Sequence, residues 1–249
     1  SKRRGTLYRD RNKLDSARRD TGDDNQTSGG KVVSHMPKNG RKAKPTTQGL
    51  YDRIADVQNV AMKLNGYRTS VAKYLRSLDL RLDAGSLVLD AGSGTGLVSM
   101  AFQDASLAAK RSIALDLSYK SLEVAREEFR KSKKRSRKID PVQGNVLQLP
   151  FADETFDLVL MCGVLEYTPL DDGLREAARV LKKGSPLVFL PVKPSLVGSV
   201  LEILYNFKIH PLAEVRKAAA KYFSVVGNHE FPATEPISWS KTIFLLEKK

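Results

Sequence analysis

Hydrophobic and polar positions follow two different patterns along this chain. Over residues 1–49 apolar residues are sparse and aperiodic, and Gly29-Gly30, Gly40 and Pro45 interrupt them. Such a segment reads as a disordered or extended tail with no core of its own. From residue 50 the pattern changes. Ile54, Val57, Ala61 and Leu64 recur at helical spacing and Gly66 stops the run, which predicts a first helix. A second is expected over 70–80, with Val71, Tyr74, Leu75 and Leu78 on one face. Short apolar runs then alternate with helical stretches. Strands are expected at 86–90, 112–115, 141–144, 156–161, 186–191, 222–226 and 242–246. Helices are expected near 97–104, after Ser118 (a cap ahead of Leu122, Ala125 and Phe129), at 170–181 and at 211–221. Continuous apolar strands separated by helices predict an α/β fold, a doubly wound, mostly parallel seven-stranded sheet. The chain then divides into a basic tail, 1–49, and one domain, 50–249. The apolar run 195–207 (SLVGSVLEILYNF) is read as a helix packed on the sheet, with a lid over a substrate as the alternative.

Composition removes several functions. The single cysteine, Cys162, and three scattered histidines (His35, His210, His229) exclude a disulfide framework and a Cys/His metal centre, so no metal is expected. No apolar run reaches 18 residues, which argues against a transmembrane helix. The start has no apolar h-region and therefore does not resemble a secretory signal. The expected location is intracellular and cytoplasmic. An Arg-rich start leaves mitochondrial import open, although five aspartates in 1–49 count against it.

The net charge is +14 and is unevenly placed. The tail carries +8, the run RKSKKRSRK at 130–138 holds seven cations and no anion, and the remainder is close to neutral. Such segments attract polyanions without sequence preference. They make RNA, a ribosomal particle or an anionic surface candidate partners through 1–49 and 130–138. The alternative is a solubilising tail and a solvated loop. Aromatic platforms for stacking bases are missing from both stretches except for Tyr8. The run follows the helix after the second strand, which places it on the rim opposite the strands' carboxyl ends.

Ligands of such sheets bind at those carboxyl ends, at the switch point of the strand order. The first strand ends in VLDAGSGTG, residues 88–96. Its glycines permit a tight turn into a helix whose first N–H groups are unpaired. A dinucleotide fingerprint G-x-G-x-x-G would need its third glycine at 97, which is Leu97; the spacing here is G-x-G-x-G. Twenty residues past Gly96, Asp116 ends the second strand, where a carboxylate can accept from both hydroxyls of a ribose.

At these residues the chain resembles the class I S-adenosylmethionine-dependent methyltransferases. VLDAGSGTG followed by ALDLS (114–118), VQGNVLQLPF (142–151), DETFDLVLMCGVLEY (153–167) and LREAARVLKKGSPLVFLPV (174–192) carry the likeness. YDRIA (51–55) is similar to the N-terminal helix of the ubiquinone/menaquinone-biosynthesis branch. The resemblance covers about residues 50–249 and implies a Rossmann-like methyltransferase fold with S-adenosyl-L-methionine as cofactor. It implies methyl transfer to a small or lipophilic acceptor. The alternatives are an RNA- or ribosome-associated methyltransferase, or a non-catalytic component of a ribonucleoprotein assembly.

By the same resemblance, Gly92, Ser93, Gly94, Thr95 and Gly96 line the methionine portion of the cofactor, and Asp90 helps position its amino group. Asp116, followed by Leu117, takes the ribose. Asn145 and Val146 flank the adenine, with Asn145 where the family usually has Asp. Cys162 and Gly163 form the wall beside the transferable methyl. The reaction is an in-line displacement governed by positioning. A base is needed only where the acceptor loses a proton, and Glu166 and Tyr167 are the candidates. A carboxylate at 166 could instead bond backbone. Tyr51 could reach over the cofactor or belong to the core. Cys162 lacks the Pro-Cys or paired-cysteine setting of a pyrimidine-attacking nucleophile. The (Asn/Asp)-Pro-Pro-Tyr signature of exocyclic-amine methylation is absent.

Overall fold

The computed structural model describes residues 66–132 and 139–249. Expectations for the tail, the helix at 54–64, Tyr51 and residues 133–138 of the basic run lie outside the described residues. Helix α1 (Tyr67–Ser77) comes first, followed by β1 (Leu87–Ala91), α2 (Leu97–Ala105), β2 (Arg111–Asp116) and α3 (Tyr119–Lys131). Then come β3 (Ile139–Gln143), β4 (Leu158–Cys162), α4 (Leu170–Val180) and β5 (Pro186–Leu190). Helices α5 (Leu196–Tyr205) and α6 (Leu212–Ala219) precede β6 (Phe223–His229) and β7 (Ile243–Lys248).

The strands form one seven-stranded sheet in the order β3-β2-β1-β4-β5-β7-β6. The first five are parallel, and β7 is antiparallel to β5 and β6. The chain moves outward from β1 to β3, then returns to β4 on the other side of β1, so the switch point lies between β1 and β4. Because β7 runs backwards, its first residues share an edge with the last residues of β1, β4 and β5. Val192 and Lys241 form a bridge there.

Both sheet faces are covered, which is why the strands are apolar without alternation. Leu89, Val159, Met161, Leu187 and Phe189 pack with Leu174 and Ala177 of α4 and Val215 of α6. Val88, Leu158, Leu160 and Val188 face the opposite layer with Val71 and Leu75 of α1 and Phe102 of α2. Each such side chain contributes about 2 kcal/mol on burial. Local signals set the helix starts. Ser118 caps α3 by accepting from the Ser121 amide at 3.2 Å, and Ser195 caps α5 by accepting from Gly198 at 2.9 Å.

Most predicted elements form within a residue or two of expectation. Helix α5 departs in its packing: among its residues only Gly198 is buried. Leu196, Ile203 and Leu204 are 85%, 81% and 65% exposed. The expected helix packed on the sheet is therefore overturned, because β7 and β6 extend the sheet beyond β5 and α6 takes the covering position. Arg130 and Lys131, the described part of the basic run, pair with Glu127 and Glu128 of their own helix. They lie at the strands' amino edge, since Ile139 beyond them pairs with Ser112 near the start of β2. No helix among the described residues is long and apolar enough to cross a membrane.

Candidate active site

The site begins with the elbow after β1. The amides of Gly92 and Ser93 both donate to the Leu115 carbonyl at 2.8 Å, and Gly96 donates to the Ser93 carbonyl at 2.9 Å. Gly92, Gly94 and Gly96 have φ of +77°, +53° and +83°. Their reasons differ. A Cβ on Gly92 would stand 2.4 Å from Val164 and one on Gly96 2.6 Å from Phe129, so close packing demands both glycines. A Cβ on Gly94 would meet nothing within 4 Å; that residue borders open space.

Asp90 sits beneath the elbow and is buried. Its Oδ2 accepts the Ser99 hydroxyl at 2.6 Å, while Oδ1 is buried without a partner. Burial pushes its pKa up to about 7, against the Ser99 hydrogen bonds and with help from the Asp116 charge. The Ser93 hydroxyl is likewise buried and unpartnered. Leaving such groups unmatched costs about 1–3 kcal/mol each. Two of them at the mouth of a helix N-terminus suit a ligand with a polar, positively charged amino group.

Asp116 ends β2 one strand away. Its Oδ2 accepts the Gly94 amide at 2.8 Å and its Oδ1 the Ser118 amide at 2.9 Å. Each carboxylate oxygen still has a lone pair for a hydroxyl. Burial raises its pKa, and the amides of Ser118, Gly94 and Leu117 pull it back. Leu117, though apolar, is 59% exposed. Beside it, β3 delivers Asn145 and Val146, since Asp116 pairs with Gln143. Asn145 Oδ1 accepts the Leu147 amide at 2.9 Å, which leaves its NH₂ as a donor where a carboxylate would only accept.

The opposite wall is the end of β4. Gly163 has φ +64°. Burial pushes the Cys162 thiol up to about 11; the Lys241 cation opposes this, and the charges of Glu166 and Asp90 add to it. A thiol held that high is no nucleophile at neutral pH. Glu166 is buried and accepts the Val192 amide through Oε1, and the same oxygen stands 3.7 Å from Lys241 Nζ. Through Oε1 it ties the turn after β4 to the end of β5, while its Oε2 is buried without a partner. The Tyr167 ring packs edge-on against Phe207 at 5.4 Å, which keeps it engaged with the segment after α5.

Asp90, Gly92–Gly96, Asp116, Asn145 and Cys162–Gly163 thus converge on one edge. Sequence reading missed Ser99, Lys241 and Tyr67. Ser99 carries a signal, since it lies three residues into the helix that the elbow starts. Lys241 and Tyr67 carry none, because they arrive from distant elements. Among the described residues no three His, Cys, Asp or Glu side chains could hold a metal ion.

A switch-point elbow, an acid at the end of the neighbouring strand and unmatched polar groups between them define a nucleoside-binding α/β enzyme. The comparisons make this specific. Residues 89–189 match a family model described as a methyltransferase domain. The chain is 32% identical over 169 residues to a demethylmenaquinone methyltransferase of Shouchella clausii, spanning 67% of this chain and 70% of that protein. It is 38% identical over 154 residues to a demethylmenaquinone methyltransferase of Thermobifida fusca, covering 58% and 62%. A ubiquinone/menaquinone biosynthesis C-methyltransferase of Rhizobium etli matches at 32% over 151 residues, 57% of this chain and 58% of that protein.

Among solved structures, the complex of the Haloferax volcanii Trm112 methyltransferase activator with a methyltransferase aligns with TM-score 0.64 and 19% identity, covering 82% of this chain and 97% of that chain. A geranyl diphosphate methyltransferase in complex with S-adenosylmethionine aligns with TM-score 0.59 and 17% identity, covering 86% and 93%. These structures speak for the fold. The chain belongs to the class I S-adenosylmethionine-dependent methyltransferases, in the ubiquinone/menaquinone-biosynthesis-like branch. Its cofactor is S-adenosyl-L-methionine, and the orphaned Asp90 and Ser93 atoms and the open face of Gly94 fit that molecule.

Proposed function

We propose that this chain methylates a ring carbon of a lipophilic aromatic acceptor carrying an ionisable hydroxyl, of the hydroquinone or phenol class. The observation that carries the reading is the apolar surface at the carboxyl edge. Helix α5 follows directly from β5 there and exposes Leu196, Val200, Ile203 and Leu204. Trp239, 53% exposed, joins them through its carbonyl, which accepts the Ser195 hydroxyl at 2.6 Å. An apolar surface beside a polar cofactor site suits an acceptor with a greasy body and one reacting ring. The quinone-biosynthesis methyltransferases that the chain resembles point the same way.

When bound, the cofactor supplies a methyl group activated by its sulfonium. The chain's own residues hold and orient it. Asp90 and Ser93 face its amino-acid portion, Asp116 takes the ribose hydroxyls, and Leu117, Asn145 and Val146 border the base. Cys162 and Gly163 shape the wall where the acceptor enters. Positioning of this kind supplies up to ~7–11 kcal/mol.

The test is transfer of label from methyl-labelled cofactor to demethylmenaquinol and to 1,4-naphthohydroquinone. The expected product carries the methyl on carbon, with the long-tailed acceptor used more efficiently. Label appearing only in RNA or protein when those are offered alongside would overturn the reading.

A further inference from the structure

Lys241 is a buried cation that the sheet topology brings to the acceptor's side of the site, and the fold alone does not account for it. It is 6% exposed. Its nearest described carboxylate, Glu166, stands 3.7 Å away, beyond hydrogen-bond reach. The Glu166 oxygen facing it already accepts the Val192 amide. Placing a cation in so covered a position is costly, and its direction is informative. A Cβ on Gly163 would lie 2.8 Å from Lys241 Nζ, so the missing side chain at the wall is what makes room for the charge. The backbone is pinned, since Lys241 donates to the Ile237 carbonyl at 3.0 Å and bridges to Val192. Trp239 precedes it by two residues, and its carbonyl accepts the Ser195 hydroxyl at the start of α5. The Cys162 thiol feels its charge, and Glu166 and Asp90 act on that same thiol. The Tyr67 phenol is held well above its ordinary value by burial, with smaller contributions from Cys162 and Glu166.

We propose that Lys241 is an acceptor-binding catalytic residue whose ammonium holds the acceptor's hydroxyl oxygen as an anion above Gly163. This rests on the acceptor class proposed above. The hydroxyl gives its proton to solvent as the oxygen docks on the ammonium. Charge delocalised into the ring makes the ortho carbon nucleophilic. That carbon's electron pair forms the new C–C bond as the S–C bond breaks and its pair leaves with sulfur. The ring carbon then releases its own proton and aromaticity returns, with the charge back on oxygen. Glu166 keeps the cation in place and is a positioning residue.

The experiment uses the full chain saturated with S-adenosylhomocysteine and 4-nitrophenol as a chromogenic probe. Wild-type protein should bind the phenolate and lower the pH at which the bound phenol ionises by one unit or more, a tenfold preference for the anion. Lys241→Gln should weaken phenolate binding at least tenfold while S-adenosylhomocysteine affinity stays unchanged. Lys241→Arg should restore most of the phenolate binding. A bound phenol that ionises in wild-type protein as it does in water overturns the inference, even if the Gln variant fails to fold. So does a folded Gln variant that binds phenolate as tightly as wild type. If Lys241-dependent phenolate binding is found but no hydroquinone is methylated, the acceptor reading fails and the anion site stands.

Discussion

The buried Asp90 makes cofactor binding depend on pH in a calculable way. Without ligand its pKa stands at about 7, against about 3.9 for a free Asp. The folded, empty chain therefore holds a proton between about pH 4 and 7 that the unfolded chain releases. Stability accordingly falls as pH rises through that window, by about 4 kcal/mol in total. A cationic amino group beside the carboxylate reverses the preference, so binding expels the proton. Below pH 7 affinity should then rise with pH. From pH 5.5 to 7.0, where an α-amino group stays charged, Kd for S-adenosylhomocysteine should fall roughly 15-fold. Asp116, whose pKa is also raised, acts in the same direction, so the informative quantity is the part of the slope that Asp90→Asn removes. Isothermal titration across that range, in two buffers of different ionisation enthalpy, gives Kd and proton release together. A Kd that varies less than threefold, or an Asn variant with the wild-type slope, would refute the reasoning.

Three further outcomes follow. Gly92→Ala and Gly94→Ala should separate packing from ligand space: the first collides with Val164 and should lower Tm sharply. The second costs only the left-handed backbone penalty, about 1–2 kcal/mol, yet should weaken cofactor binding at least tenfold in the same titration. Asp116→Ala should leave a folded protein, checked by circular dichroism, whose affinity for S-adenosylhomocysteine drops tenfold or more; wild-type affinity would remove Asp116 from the site. Glu166→Gln removes the carboxylate nearest Lys241 and should lower stability in urea denaturation, and an unchanged pH optimum of methyl transfer in that variant would exclude Glu166 as a base.

The strand–helix alternation, the glycine elbow and the acid at the end of β2 were legible because each is a local pattern. An apolar run, a turn that only glycine can make and a polar residue at a strand end announce themselves within a few positions. Asn145 and Cys162 came from the family resemblance of 142–151 and 153–167; they lie two residues past β3 and at the last position of β4. The contents of the acceptor side were not. Lys241 reaches Gly163 only because β7 inserts antiparallel between β5 and β6, a pairing that joins residues far apart in the chain and leaves no local periodicity. That Glu166 holds the Val192 amide depended on where the end of β5 falls beside the turn after β4. Whether α5 covers the sheet or faces outward depended on how far β7 and β6 extend the sheet beyond β5. The chain's local pattern sets the fold class and puts the glycine elbow and Asp116 at strand ends, because these arise from short-range sterics and hydrophobic periodicity. Only the tertiary structure decided which charges surround the acceptor, because long-range strand pairing sets those contacts.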